Sequence, residues 1–223
     1  MWLTFIAVVL VSFASLIFMR PVAEKIGLVD KPNFRKRHQG LIPLIGGIAL
    51  FLGNLTFYAF QYDTMPLPGL YLLSVTILLI IGVLDDRFDI SPALRAGIQA
   101  VLAGAMIYSG LELESLGQII APFSIKLGFF SLLFTVFITI GVINAFNMVD
   151  GIDGLLAGLS SVSFAGIGVL MWINGEHAIA FWCLAIILTL IPYAMFNLSV
   201  FGAKWKVFML SLIHISEPTR LRC

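Results

Sequence analysis

LGFFSLLFTVFITIGVINAFNM, residues 127–148, runs for 22 positions without a charged side chain and is followed at once by VDGIDG, residues 149–154. An apolar run of that length crosses a bilayer as one α-helix, for which roughly 20 residues suffice. Six further segments have the same character: 2–19, 41–60, 67–84, 96–111, 155–173 and 178–196. The fourth, 96–111, is the shortest, and its flanking Arg95 and Glu112 are expected to snorkel to the interface. The expected fold is all-α, a polytopic transmembrane helix bundle of about seven spans.

Composition points the same way. Hydrophobic residues make up 60% of the chain and charged residues 11%, which leaves too little polar surface to cover a soluble globule. The first segment has no basic stretch before it and no small-residue cleavage site after it. A retained span is therefore expected rather than a signal peptide. A formal net charge of +1 gives no footprint for nucleic acid, and none is expected as a partner. Cys183 and Cys223 are too few for a disulfide framework; Cys183, inside an apolar run, is expected to be a small core residue.

Lys and Arg set the orientation. Arg20, Lys25, Lys31, Arg35, Lys36, Arg37, Arg87, Arg95, Lys204 and Lys206 fall on one side of a seven-span chain, against Lys126 alone on the other. The basic side is cytoplasmic by the positive-inside rule, with the N-terminus outside. Ala96, Ala100 and Gly104, and likewise Gly154 and Gly158, form small-residue stripes expected to let helices approach closely. Pro192 is expected to kink the last span, and Tyr62, Trp172 and Trp182 to anchor at the interface.

The acids gather on the same side as the cations. DDRFD, residues 85–89, follows the third span, and NMVDGIDG, residues 147–154, ends the fifth. A third helix continuing through Asp89 would put that residue on one face with Asp85 and Asp86. Gly151 and Gly154 would let the backbone turn sharply, pointing Asp150 and Asp153 into one small space. Clustered carboxylates repel unless a cation holds them. Mg²⁺ suits them, since it takes one or two carboxylates together with phosphate oxygens and water. The basic run Arg35, Lys36, Arg37 and His38 can grip phosphate, or can equally be a topology signal. The residues alone imply a cytoplasm-facing, Mg²⁺-dependent site for phosphate chemistry.

Three stretches, DKPNFRKRHQGLIPLIGG (30–47), DDRFD (85–89) and NAFNMVDGIDGL (144–155), closely resemble the polyprenyl-phosphate N-acetylhexosamine-1-phosphate transferases. The resemblance extends from about residue 20 to residue 209. It implies transfer of GlcNAc-1-phosphate from UDP-GlcNAc to undecaprenyl phosphate with Mg²⁺, at the inner bacterial membrane. It assigns Asp85 and Asp86 to metal and lipid-phosphate activation, and Asp150 and Asp153 to catalysis or nucleotide binding. Asn147, Asp89 and the run 35–38 become substrate-binding candidates. Asp89, where the relatives that use UDP-MurNAc-pentapeptide carry Lys, favours the GlcNAc branch. The oligomeric state is left open.

The C-terminus departs from that pattern. After KVFM (206–209) comes LSLIHISEPTRLRC (210–223), where the family continues with a third acidic motif, further spans and a histidine-rich loop. LSLIHISEPTR is what one frame of a transposase sequencing adapter encodes. Residues 210–223 are thus expected to be non-native and the truncated chain inactive. Outside the enzyme class, a transporter would carry ionisable residues at mid-span, and these spans carry almost none.

Overall fold

The computed structural model describes residues 1–30, 41–64, 67–117, 125–150 and 152–209. Seven helices occupy the seven expected segments: α1 (Trp2–Ile26), α2 (Gly46–Gln61), α3 (Pro68–Phe88), α4 (Pro92–Tyr108), α5 (Ser131–Val149), α6 (Leu155–Ile173) and α7 (His177–Asn197). The protein is an all-α membrane bundle. Five helices (α1, α3, α5 with its leading 3₁₀ turn, α6 and α7) are long and apolar enough to cross a bilayer by length and composition. The two short ones are α2, of 16 residues, and α4, of 17. The expectation that the fourth segment is the shortest is thus corrected. The second helix begins only at Gly46, because Ile42–Pro43 is drawn off into a strand.

Helix boundaries follow local chemistry. Gly27 ends α1 in the left-handed region at φ 74°, a conformation that costs glycine nothing. Ser91 caps α4, its side chain accepting from the Leu94 N–H, and Pro92 follows at the first helical position, where its missing N–H is no loss. Within the spans, hydroxyls turn inward on their own helix. Thr56, Thr76 and Thr139 each donate to the carbonyl four residues back, at 2.7–2.8 Å, which satisfies them where lipid offers no partner. Pro192 does not end α7, which is helical from His177 to Asn197.

Helices α1, α2 and α7 form the core, and α6 packs on α7. Phe5, Val8, Phe57 and Ala185 fill one end of it. Leu16, Ala23, Leu28, Leu44, Ile45, Ala49, Phe196 and Val207 fill the other. Close approach at the centre depends on Gly53, which meets Thr189 of α7 and Ser12 of α1. There the Ser12 hydroxyl donates to the Thr189 carbonyl at 3.2 Å. The stripe at Ala96, Ala100 and Gly104 does no such work: Gly104 is exposed, and a Cβ there would meet nothing. Gly158 is equally open. Cys183 is fully buried, as its apolar setting predicts. Trp182 lies against Tyr71, ring centroids 5.0 Å apart.

A small extended platform sits at one end of the core. β1 (Val29–Asp30) pairs antiparallel with β2 (Ile42–Pro43), and Leu44 bridges to Phe208 in parallel. The Phe208 N–H donates to the Pro43 carbonyl at 3.1 Å, and the Gly46 N–H to the Phe208 carbonyl at 3.0 Å. The segment after α7 is thereby tied to the start of α2.

Filling the Gly53 contact tests this packing. Gly53→Leu should destabilise the detergent-solubilised chain by about 1–3 kcal/mol, the usual cost of overpacking. Gly104→Leu should leave the melting temperature unchanged.

Candidate active site

The first acidic stretch ends α3. The helix stops at Phe88, and Asp89 takes a left-handed conformation at φ 54° while its N–H donates to the Asp85 carbonyl at 2.8 Å. Asp89 therefore leaves the helix and is exposed. Its expected place on one helical face with Asp85 and Asp86 is corrected: the αL cap turns the chain one residue too early. Asp85 is 1% exposed and forms an ion pair with Arg95, itself 5% exposed. Arg95 thus points into the protein instead of snorkelling outward. Ser91 and Pro92 begin α4 so that Arg95 falls one turn inside it, toward α3. Asp86 is partly buried beside this pair.

The second acidic stretch joins α5 to α6 and rests on the end of α7. The Tyr193 hydroxyl donates to Asp150 Oδ1 at 3.1 Å, and Lys206 Nζ donates to Asp153 Oδ2 at 2.5 Å. Between them Asn197, 2% exposed, makes two bonds. Its Oδ1 accepts from the Gly154 N–H at 2.6 Å, and its Nδ2 donates to the Val207 carbonyl at 3.1 Å. Gly154 sits at φ 74° with Leu198 against it, where an added Cβ would collide, so this turn requires glycine. Asp150 and Asp153 thus both lie against α7 and the segment after it. The Asp153–Lys206 pair is exposed on the Asp153 side; such pairs are worth about 0–1 kcal/mol and exchange readily for a ligand.

Both stretches lie at the same end of the bundle. Arg87 approaches Gly27 at the end of α1, Arg20 stacks over Trp205 at 5.5 Å, and Gly46 lies against Tyr193. Asn147, on the last turn of α5, has its Nδ2 buried with no hydrogen-bond partner among the described residues. An amide donor held that way is suited to a ligand acceptor. Arg35, Lys36, Arg37 and His38 lie outside the described residues. Arg95, Tyr193, Asn197 and Lys206 are the site residues that sequence reasoning passed over. Arg95 and Lys206 had been counted as topology charges. Tyr193 and Asn197 carried a weak signal: two polar residues one turn apart at the end of an apolar helix.

Among the described residues, no three His, Cys, Asp or Glu side chains converge to hold a metal by themselves. A Mg²⁺ ion does not need three, because substrate phosphates and water complete its shell. The donors in both stretches are carboxylate oxygens, which match a hard cation. One Asp85 oxygen is engaged by Arg95, and Asp86, next to it on α3, is partly buried. The residues therefore fit a Mg²⁺ ion brought with a phosphorylated substrate.

The Asn197 bridge carries a measurable load. Asn197→Leu would strand the partly buried Gly154 N–H, at about 1 kcal/mol. It should speed hydrogen exchange at residues 152–156, while Asn174→Leu, at an exposed position, should change neither stability nor exchange there.

The profile of glycosyl transferase family 4 matches residues 69–209, a span that holds both acidic stretches together with Arg95, Tyr193, Asn197 and Lys206. A Haemophilus influenzae protein is 59% identical over 200 residues, covering 89% of this chain and 56% of its own length. A Pasteurella multocida protein is 59% identical over 211 residues, covering 94% and 59%. One from Escherichia coli K12 is 50% identical over 205 residues, covering 92% and 56%. All three bear the name undecaprenyl-phosphate alpha-N-acetylglucosaminyl 1-phosphate transferase. The chain spans little more than half the length of these curated relatives. On the extent of the match and its agreement with the two acidic stretches, the chain belongs to glycosyl transferase family 4.

Proposed function

We propose that this chain is the N-terminal part of a membrane phosphoglycosyltransferase. It would move GlcNAc-1-phosphate from UDP-GlcNAc to undecaprenyl phosphate, with Mg²⁺, at the cytoplasmic face of the inner membrane. The observation that carries this is the gathering of two acidic stretches, one on α3 and one after α5, at a single end of an apolar bundle. The name shared by the relatives supports the donor sugar and the lipid acceptor. UDP as the donor's nucleotide and the cytoplasmic orientation rest on the motif resemblance and on the basic bias of that end.

In this reaction an oxygen of the lipid phosphate attacks the β-phosphorus of UDP-GlcNAc. The bond from that phosphorus to the bridging oxygen breaks, and UMP leaves with the electron pair. The lipid phosphate has a second pKa of about 6, by analogy with phosphoserine, so it arrives largely ionised and needs little help from a base. Positioning and charge neutralisation dominate phosphoryl transfer. Asp86, with Asp85, would hold Mg²⁺. When bound, the ion neutralises charge on the diphosphate oxygens. Asn147 offers its buried amide to a sugar or uracil acceptor. Asp150, steadied by Tyr193, and Asp153, loosely held by Lys206, would orient the nucleotide part. The basic run Arg35, Lys36, Arg37 and His38 would grip phosphate, and Asp89, a carboxylate, would accept from hydroxyls of the substrate. Residues 1–209 as transferase sequence and 210–223 as translated adapter belong to the same proposal. A genomic read continuing through this coding sequence in the same frame would overturn the adapter assignment.

The deciding test is transfer of radiolabelled GlcNAc-1-phosphate from UDP-GlcNAc to undecaprenyl phosphate. It should compare this chain with a form extended after residue 209 by the remaining part of the Haemophilus influenzae relative, with Mg²⁺ and with EDTA. Labelled lipid is expected only from the extended form and only with Mg²⁺. An equally active short chain would overturn the truncation, and no product from either would overturn the sugar assignment. In the extended form Asp86→Asn should lower kcat at least a hundredfold, about 2.7 kcal/mol of barrier.

A further inference from the structure

The helices that carry the two acidic stretches barely touch. α3 packs on α2 and α4, α5 packs chiefly on α4, and α3 and α5 have almost no direct contact. Whatever fixes one stretch relative to the other through this side of the bundle must pass through α4. The face that α4 turns inward there is polar. Arg95 and Gln99, one turn apart, are 5% and 3% exposed. Arg95 pairs with Asp85 of α3, and Gln99 Oε1 accepts from Asn144 Nδ2 of α5 at 2.9 Å. The same Asn144 amide donates to the Ile140 carbonyl at 2.8 Å, which fixes its orientation. Asn147 lies three residues further on, on the same face of α5.

We propose that Arg95 and Gln99 are positioning residues, a strut on α4 that holds Asp85 in register with the Asn144–Asn147 face of α5. The inference rests on the transferase function proposed above. Two features make it more than ordinary packing. The apolar contacts of α3 and α5 are sparse: Leu73, Ile80, Leu132, Leu133 and Phe137 are exposed, and the other large apolar side chains of the two helices are at most half-buried. Slippery apolar faces set no register, whereas a bidentate-capable guanidinium and an amide pair allow only one. The ladder is also buried, and a buried charge pair that loses one member is strongly unfavourable, so the two helices are held at a single spacing.

The test uses the extended chain with Cys183→Ala and Cys223→Ser where that residue is retained, spin-labelled through Phe88→Cys and Met148→Cys, two exposed positions at the ends of α3 and α5. Arg95→Met removes the guanidinium that Asp85 pairs with and can simply prevent folding. Gln99→Met and Arg95→Lys are therefore the informative variants, since neither strands a buried charge. Each should broaden the distance distribution between the labels. Each should also lower kcat roughly ten- to a hundredfold, as expected for a displacement of about 1 Å at a reacting centre, with KM for UDP-GlcNAc little changed. Arg95→Lys should retain more activity than Arg95→Met. An unchanged distribution in both variants overturns the strut, whether or not activity falls. If the unmodified extended chain makes no product, the proposed function fails, while the distance measurement still decides the strut.

Discussion

Inside a bilayer a polar group has only the protein for a partner, and every feature of this molecule that bears on chemistry follows from how that constraint is met. Thr56, Thr76 and Thr139 bond to their own helices, and Ser12 of α1 bonds across to α7. The two acidic stretches lie at one end, where Asp85 is answered by Arg95, Asp153 by Lys206 and the Gly154 N–H by Asn197. Part of the apolar surface of α3 and α5, including Leu73, Ile80, Leu132, Leu133 and Phe137, is exposed, as a lipid-facing surface should be. The separation is sharp because a carboxylate in hydrocarbon costs more than any packing gain would return.

Two different mechanisms hold the two acidic stretches. The first is locked, with a carboxylate and a guanidinium both removed from solvent. The second is latched by neutral hydrogen bonds from Tyr193 and Asn197 and by one solvent-facing ion pair. A locked group keeps its geometry while substrates come and go. A latched one can trade its partner for a ligand without a large penalty. That difference suits the proposed transfer, in which a stationary charge must meet a diphosphate that enters and a monophosphate that departs.

Much of the architecture was legible in the sequence, because a run such as 127–148 has no reading other than a span, and because the Lys and Arg bias fixes which ends lie together. The acids at 85–89 and 147–154 were legible for the same reason: charge next to an apolar helix end is conspicuous. What the sequence hid was partnership. Arg95 looked like one more cytoplasmic cation, since its burial depends on where α4 begins, and Ser91–Pro92 sets that start three residues before it. Asp89 looked helical because nothing in DDRFD announces a left-handed cap. The strands Val29–Asp30 and Ile42–Pro43 are two residues each, too short for any alternation to show. The stripe at Ala96, Ala100 and Gly104 had the right spacing for close packing, yet no helix lies against Gly104.

The bridge from Leu44 to Phe208 has a consequence for how the protein is made. Helices insert into the membrane in order as they leave the ribosome, and α1 and α2 are in place long before α7. The extended platform between them lacks its third member until the chain beyond α7 has been synthesised and has folded back. The platform is thus completed only after all seven helices have been made, and a nascent chain halted before residue 208 would be a membrane-inserted protein with an unfinished face.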